Sequence, residues 1–423
     1  MAKARSHSLL DAPAPPDMAS LYGRHGYPVA HKSRDLRFDF MRGFAMLSVV
    51  AAHLEMFSWF NFLFWERLGL ISAAGMFIAA AGLVLGRVNR RVMEREGMAG
   101  VTERVWRRSF VLWRALVVTV LLIILVRSLG IFDMSAVTTF TDRWAQQTHP
   151  MIPSPDAPWL DQIALVLTMR VSPHQIQILG LYVLLLAIAP GALWLLHRRL
   201  LGVFFALTWG IYFTGWMRPL DTPLMSMLWE YAFPLLMYQA LFMHALAVGF
   251  FRNEIAEWLS EPTRRRLAVT VSLGIFFAYF VLAQTTSNPT FPAWSRLGLF
   301  SPERFDTIYN TYFVKKQPSP LRFLNVAAFF AAFYILLTYF WRPINKALGW
   351  LLIPLGEASL YVFLMHLLFI ALIDQIAGYF DVIPDWHDVW PSRIWFNTAL
   401  YIGTILGLWL MVRCRVLFSI VPR

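Results

Sequence analysis

The sequence has little charge and almost no cysteine. Only 15% of its 423 residues are charged, whereas soluble domains contain about 25%. The single cysteine, Cys414, excludes an internal disulfide and argues against a cysteine-based metal site. These shortages exclude a secreted disulfide scaffold and a disordered chain. They also argue against a nucleic-acid partner, although the net charge is +12.

Motifs for metals and nucleotides are absent as well. The sequence has no HExxH pattern, and no metal site is predicted. It has no glycine-rich phosphate loop, which argues against an ATP-driven pump. It also lacks the internal repeat that is common in secondary transporters. No permanently bound cofactor is therefore expected.

Apolar residues, by contrast, make up 58% of the sequence, and the mean hydropathy is +0.54. A membrane-spanning helix needs about 20 mostly apolar residues. The predicted fold is therefore all-α, a polytopic bundle of about ten transmembrane helices in a lipid bilayer. The predicted spans are 39–58, 69–88, 109–130, 177–197, 201–217, 231–251, 267–286, 323–341, 351–376 and 395–417.

The basic residues are distributed unevenly between the segments that join these spans. If the N-terminus is inside, the inner segments contain 24 of the 37 Lys and Arg residues, and the outer segments contain 10. This asymmetry follows the positive-inside rule and places both termini in the cytoplasm. No apolar run follows a short charged start, so no cleaved signal peptide is expected.

These patterns predict one transmembrane domain, 38–418, between a flexible cytoplasmic tail, 1–37, and a short C-terminal tail, 419–423. The outer segments 131–176 and 287–322 are long and polar. Because long loops are often functional, we expect these two segments to be lids over the outer face, with simple connectors as the alternative.

The first predicted helix is rich in ionisable groups, which are costly inside a bilayer and therefore indicate function. Asp39 and Arg42 are three residues apart and share one face. His53 follows Arg42 by eleven residues, which returns a helix to nearly the same face about 16 Å further along. The spacing predicts that a cation near the inner end and an imidazole in the outer half line one continuous passage.

Two short patterns in this helix, Asp-x-x-Arg-Gly-x-Ala over 39–45 and Val-Val-x-x-His over 49–53, resemble the first helix of the acyltransferase-3 superfamily. More narrowly, residues 34–43 are similar to the start of its OpgC branch, which attaches succinyl groups to osmoregulated periplasmic glucans. Weaker similarity extends to 72–77, 177–182, the region around Trp229, and 356–363. The OpgC branch usually has acidic residues where this chain has Ala52 and Gly75, so the acyl group and the acceptor both stay open.

The resemblance implies a multi-pass O-acyltransferase of the bacterial inner membrane. Such an enzyme takes a succinyl or acetyl group from cytoplasmic acyl-CoA and delivers it to a hydroxyl of a periplasmic or surface carbohydrate. In this reading His53 is the catalytic base, or alternatively carries the acyl group itself. Asp39 holds Arg42. Glu55 orients the acceptor or an adjacent helix, with an interfacial carboxylate near the outer headgroups as the alternative. The pantetheine arm of the donor is about 20 Å long, which suits the interval between Arg42 and His53.

Further side chains are predicted to bind the two substrates. Arginines near the inner surface are suited to the donor phosphates, although positive-inside topology alone would also place basic residues there. For Arg114, the alternative is an ion pair with Asp39. The predicted donor-binding residues are Arg37, Arg42, Arg104, Arg107, Arg108 and Arg114.

Polar residues near the outer ends of later spans are predicted to contact the acceptor, with interfacial packing as the alternative. His366 belongs to a Ser-Tyr…His pattern that resembles a late helix of the superfamily, which implies that it shapes the tunnel or positions the thioester, with packing as the alternative. The predicted substrate-binding residues are His174, Gln175, Gln177, Trp229, Glu230 and His366.

A rival function from another class is a carrier or flippase for a lipid-linked sugar, without acyl chemistry. It explains the spans and the intramembrane charges equally well. It does not explain why Arg42 and His53 share one face at this interval, so the acyltransferase reading is preferred.

Overall fold

The computed structural model describes residues 25–28, 34–142, 147–219, 222–377 and 393–422. Most of the predicted tail 1–37 thus lies outside the described residues. The longer helices are α1 (Leu36–His53), α2 (Ala73–Ser128), α5 (Ile178–His197), α6 (Leu201–Trp216), α7 (Leu235–Phe250), α9 (Pro262–Gln284), α10 (Pro302–Tyr312), α11 (Pro320–Tyr339), α14 (Ser359–Ala377) and α15 (Ile394–Arg413).

Shorter elements join these helices. The short helices are α3 (Ser135–Thr138), α4 (Trp159–Leu167), α8 (Arg252–Trp258), α12 (Trp341–Ile344) and α13 (Trp350–Glu357). Single turns of 3-10 helix occur at Trp59–Phe62, His174–Ile176, Leu228–Tyr231 and Ala293–Ser295, and a turn of π-helix occurs at Asn345–Gly349. The predicted outer segment 131–176 contains an antiparallel strand pair, β1 (Thr139–Asp142) and β2 (Gln147–Pro150), that the all-α prediction does not include.

The described residues confirm a mostly helical membrane protein. Five helices are long and apolar enough to cross a bilayer, and seven spans result if each of two bent helix pairs counts as one. The helix α1 contains three charged residues, and α6 has only 16 residues. The count of ten spans and the cytoplasmic placement of both termini stay predictions.

Two predicted connections differ from the structure. The spans 69–88 and 109–130 lie on the two halves of α2, which meet in a kink at Gly97, with φ of 70° and ψ of −169°. This backbone conformation is accessible to glycine and costly for other residues, so a glycine permits the break. The predicted connection between these spans is therefore helical on both sides of one glycine. The predicted span 351–376 consists instead of α13 and α14, and the helices on either side of Ala358 meet at 93°.

The first helix lies inside the bundle because two glycines allow close packing. It contacts α2, α11, α13, α14 and α15. A Cβ added to Gly43 would overlap the Leu352 carbonyl, and one added to Gly356 would overlap the Asp39 carbonyl. Small residues at such crossings let helix backbones approach closely in membrane proteins. The contact between α1 and α13 places Arg42 beside Ser359, the first residue of α14.

Candidate active site

Two histidines from different helices are hydrogen-bonded to each other at the end of α1. Nδ1 of His53 lies 2.9 Å from Nε2 of His366, and the two rings stack with centroids 5.1 Å apart. Nδ1 of His366 lies 2.5 Å from the Phe363 carbonyl oxygen. These contacts join residues that are 313 positions apart in the sequence.

The contacts of the pair determine where the protons lie when both rings are neutral. A carbonyl oxygen only accepts hydrogen bonds, so Nδ1 of His366 carries its proton and Nε2 accepts. The proton in the bond between the rings then belongs to Nδ1 of His53. Nε2 of His53 therefore keeps its lone pair, and this atom makes no hydrogen bond to a described residue. The arrangement presents His53 as a base through Nε2.

A third histidine lies next to the pair. The His174 ring is edge-on to His53, with centroids 6.2 Å apart, and its Nε2 lies 3.1 Å from a carboxylate oxygen of Glu55. Glu55 has φ of 52°, a left-handed conformation that is costly for a residue with a side chain. Helix α1 has ended by this point, so the carboxylate is directed by this strained turn and meets His174.

A cavity of about 640 Å³ lies between α2, α5, α7 and α14. Along α2 its wall extends from Phe77 to Asn89, an interval of twelve residues or about 18 Å. Arg104, Arg107 and Arg108 line it from the second half of α2, seven to eleven residues after Gly97, the break in this helix. Phe77 lines it twenty residues before that break, and its ring lies 6.3 Å from that of Phe363 between centroids. The end of the cavity near the break is therefore cationic, and the end far from the break is aromatic.

Arg42 joins the cavity wall to a small polar network. Its guanidinium donates to Oγ of Ser359, and Nη1 lies 3.7 Å from Oδ1 of Asp39. The same Asp39 oxygen accepts from Arg34 at 2.5 Å, and Arg34 also lies 3.8 Å from Glu357. Asp39 thus contacts Arg42, as the sequence predicts, but it shares this contact with Arg34. Within the described residues it is not paired with Arg114.

One residue links the two parts of the predicted passage. Arg42 lines the cavity, whereas His53 is outside its lining. Phe363 belongs to the cavity wall, and its ring centroid is 5.5 Å from that of His366. The Phe363 side chain therefore contacts both the cavity and the histidine pair, and the cavity by itself does not include His53 as the predicted continuous passage would. The spacing on α1 carried no information about this residue of α14.

The structure brings only part of the predicted donor-binding set together. Arg42, Arg104, Arg107 and Arg108 line the cavity. Arg114 lies on an exposed face of α2, outside the cavity lining.

Arg37 is also outside the cavity lining. It is buried, donates to both carboxylate oxygens of Asp35 at 2.9 Å and to Oγ1 of Thr338 at 2.7 Å, and lies over the rings of Tyr27 and Tyr334. These contacts give Arg37 a role in anchoring the start of α1.

The predicted substrate-binding residues also divide into two groups. His174 and His366 surround His53. Gln175, Gln177, Trp229 and Glu230 are all at most 5% exposed, and their contacts are internal: Gln175 donates to the Ala136 carbonyl, and Glu230 accepts from a backbone N–H. A Cβ on Gly180 would lie 2.5 Å from the Trp229 indole nitrogen, so this tryptophan fills the space that the glycine leaves.

Several residues of the site were not singled out by the sequence analysis. Ser359 binds Arg42, and Phe363 and Tyr182 line the cavity. All three lie within the segments 177–182 and 356–363 that support the family resemblance. That similarity was the available signal, because hydrophobic periodicity does not distinguish a hydroxyl that faces a cavity from one that faces a neighbouring helix.

A buried ion pair connects one predicted lid to the loop between α1 and α2. Oε1 of Glu66 lies 2.7 Å from Nη2 of Arg322, and Oε2 accepts from the Tyr309 hydroxyl at 2.7 Å. Arg322 also donates to the Phe313 carbonyl. The predicted outer segment 287–322 is thereby held against the loop between α1 and α2.

The stability that the Glu66–Arg322 ion pair contributes should decrease in acid. Burial disfavours the Glu66 carboxylate, but Arg322, Lys315 and the Tyr309 hydroxyl outweigh burial and hold the pKa of Glu66 below its usual value. A depressed folded-state pKa adds stability above the unfolded-state pKa of about 4.3, and this stability is lost as the pH falls through the folded-state value. Glu66→Gln should therefore lower the unfolding temperature at pH 7, and its difference from the wild type should shrink below about pH 4.

Thermal unfolding of detergent-solubilised protein between pH 3 and pH 7 measures this effect. Glu257→Gln, which changes an exposed carboxylate of α8, serves as the control and should not show the same narrowing. A Glu66→Gln difference that stays constant over this pH range would contradict the assignment.

Comparison with known protein families matches residues 34–419 to the family described as OpgC protein. The match covers nearly the whole chain and includes α1, the cavity and the histidine pair. No curated protein and no solved structure shows a significant match.

Proposed function

Since this chain belongs to the OpgC protein family, a family of transferase-type membrane proteins, we propose that it moves an acyl group from acyl-CoA to a hydroxyl of a glucan. The observation that supports this proposal is the cavity with arginines at one end and the His53–His366 pair beyond the other end. In the proposed topology the chain is a multi-pass protein of the bacterial inner membrane. Cytoplasmic donor and periplasmic acceptor then approach the pair from opposite sides.

The donor would occupy the cavity with its phosphates at the cationic end. Arg104, Arg107 and Arg108 suit these phosphates because guanidinium groups form charge-assisted hydrogen bonds to phosphate oxygens. The 18 Å interval along α2 is comparable to the pantetheine arm, about 20 Å long. The thioester of a donor bound in this way would reach the aromatic end. Rotation of the Phe363 side chain would then admit it to the histidine pair.

The histidine pair supports direct acyl transfer. Nε2 of His53 would take the proton of the acceptor hydroxyl while its oxygen forms a bond to the thioester carbon. The carbon–sulfur bond then breaks, and the leaving thiolate takes the proton from His53, so that the products are an ester and free CoA. Nε2 of His366 accepts from Nδ1 of His53 throughout, which orients the ring and stabilises the transient imidazolium. Glu55 and His174 lie where they could orient the acceptor.

The test is acyl transfer by the purified protein. Detergent-solubilised protein is given radiolabelled succinyl-CoA or acetyl-CoA together with a short glucan, and the glucan is analysed for label and mass. Incorporation of a succinyl or an acetyl group supports the proposal and identifies the acyl group. Failure to bind or consume either acyl-CoA, together with movement of lipid-linked sugar in liposomes, would overturn it in favour of a flippase.

A further inference from the structure

Tyr182 differs from the other deeply buried tyrosines of the bundle. The hydroxyls of Tyr212, Tyr238, Tyr361 and Tyr401 each donate to a backbone carbonyl at 2.7 to 3.1 Å. Tyr182 is only 8% exposed, yet its hydroxyl has no hydrogen-bond partner among the described residues. A buried hydroxyl without a partner is costly. The residue also belongs to the wall of the cavity, and a rotation of its side chain would bring the buried hydroxyl to a molecule that enters there.

The surroundings of Tyr182 indicate which part of a ligand would meet it. It is in the second turn of α5, where Ile178, Leu179 and Leu186 also line the cavity. The Arg42 guanidinium is close enough to interact electrostatically with the phenol. The three arginines suited to phosphates come from a different helix, α2. The neighbours of Tyr182 on α5 are thus apolar, and a ligand segment that packs against them needs an acceptor atom for the phenolic proton.

We propose that the Tyr182 hydroxyl donates a hydrogen bond to a carbonyl oxygen on the uncharged arm of the acyl donor. This inference rests on the proposed function and assigns a donor-binding residue to it. The arm of acyl-CoA contains two amide carbonyls and ends in the thioester carbonyl, and each of these oxygens accepts hydrogen bonds. The bond would fix the arm in the cavity while the arginines hold the phosphates.

The test compares three probes that share different parts of the donor. Full-length wild type and Tyr182→Phe are purified in detergent, and their affinities for succinyl-CoA, CoA and adenosine 3′,5′-bisphosphate are measured. The last probe carries phosphates but no arm. Loss of one neutral hydrogen bond should weaken binding about 3- to 10-fold. We expect this loss for succinyl-CoA and no change for the bisphosphate. The KM for the donor should rise by a similar factor.

The affinity for CoA distinguishes the amide carbonyls of the arm from the thioester carbonyl. If an amide of the arm is the acceptor, Tyr182→Phe weakens CoA and succinyl-CoA alike. If the thioester is the acceptor, only succinyl-CoA is weakened. Tyr212→Phe, which removes a buried hydroxyl bonded to the Pro318 carbonyl, is the matched control and should leave all three affinities unchanged.

Two results would overturn the inference while leaving the proposed function standing. One is a Tyr182→Phe protein that binds succinyl-CoA and CoA as tightly as the wild type. The other is a loss of equal size for the bisphosphate, which would indicate general damage to the cavity. Wild-type protein that binds none of the three probes would overturn the proposed function itself.

Discussion

His53→Ala is expected to lower the rate of acyl transfer by about 100- to 10,000-fold, the usual contribution of a positioned general base. The variant removes the one imidazole nitrogen of the pair that keeps a free lone pair. His366 does not substitute for it, because the Nε2 atom that the variant frees lies on the Nδ1 side of the vacated His53 ring, away from the position of His53 Nε2 where the acceptor hydroxyl would bind. The loss should appear in kcat, while the affinity for acyl-CoA stays close to that of the wild type. Single-turnover transfer and donor binding, measured on the same preparation, check both parts.

The matched control for this variant is His244→Ala. His244 is also a histidine of a helix in the bundle, but its Nδ1 lies 2.8 Å from the Ala240 carbonyl in its own helix, and its ring packs against Phe205 and Trp209. Its replacement should lower stability and leave kcat nearly unchanged. Full transfer activity in His53→Ala would contradict the mechanism, whatever the control shows.

Arg42→Gln is expected to weaken acyl-CoA binding by about 10- to 100-fold. A hydrogen bond that involves a charged group contributes about 1.5 to 3 kcal/mol, and each 1.4 kcal/mol corresponds to a factor of ten. The variant removes a cation from the cavity wall and releases Ser359 from its contact. Asp39 keeps its ion pair with Arg34, so the start of α1 should stay folded. Equilibrium binding of labelled acyl-CoA measures the change.

Arg114→Gln tests whether the donor-binding arginines are those that line the cavity or all those that the sequence predicts. Both arginines lie within predicted spans, and the sequence predicts both as donor-binding. The structure places Arg42 in the cavity wall and Arg114 on an exposed face of α2. Arg114→Gln should therefore bind acyl-CoA as the wild type does. Equal losses in the two variants, or no loss in Arg42→Gln, would show that the donor binds elsewhere.

The face of α1 that carries Asp39, Arg42 and His53 was predictable because it is a local property. Helical geometry alone relates residues three and eleven positions apart. The helical connection between the two halves of α2 was less accessible, because the basic residues around Arg104 indicate a loop between spans. Charge there indicates the membrane surface, but it does not exclude helices that extend past that surface and meet in a kink at Gly97.

The partners of that face depend on contacts between distant parts of the chain. His366 is far from His53 in the sequence, and it reaches Nδ1 of that residue because α14 turns sharply away from α13. Ser359 reaches Arg42 at the start of the same helix. Neither contact leaves a periodic signal, since many residues of α14 are equally apolar and equally spaced.

The sequence by itself determined that this protein is a helical membrane protein, that its first helix carries ionisable groups on one face, and that it resembles the family to which it belongs. The first two properties follow from composition, charge and helical spacing, and the resemblance follows from short motifs, all of which are local. Only the tertiary structure decided that His366 is hydrogen-bonded to His53, that Phe363 contacts both the cavity and the pair, and that four of the six predicted arginines line that cavity. The physical reason is that a cavity and its polar contacts are formed by the packing of several helices, and the angle at which each helix crosses its neighbours selects which side chains meet.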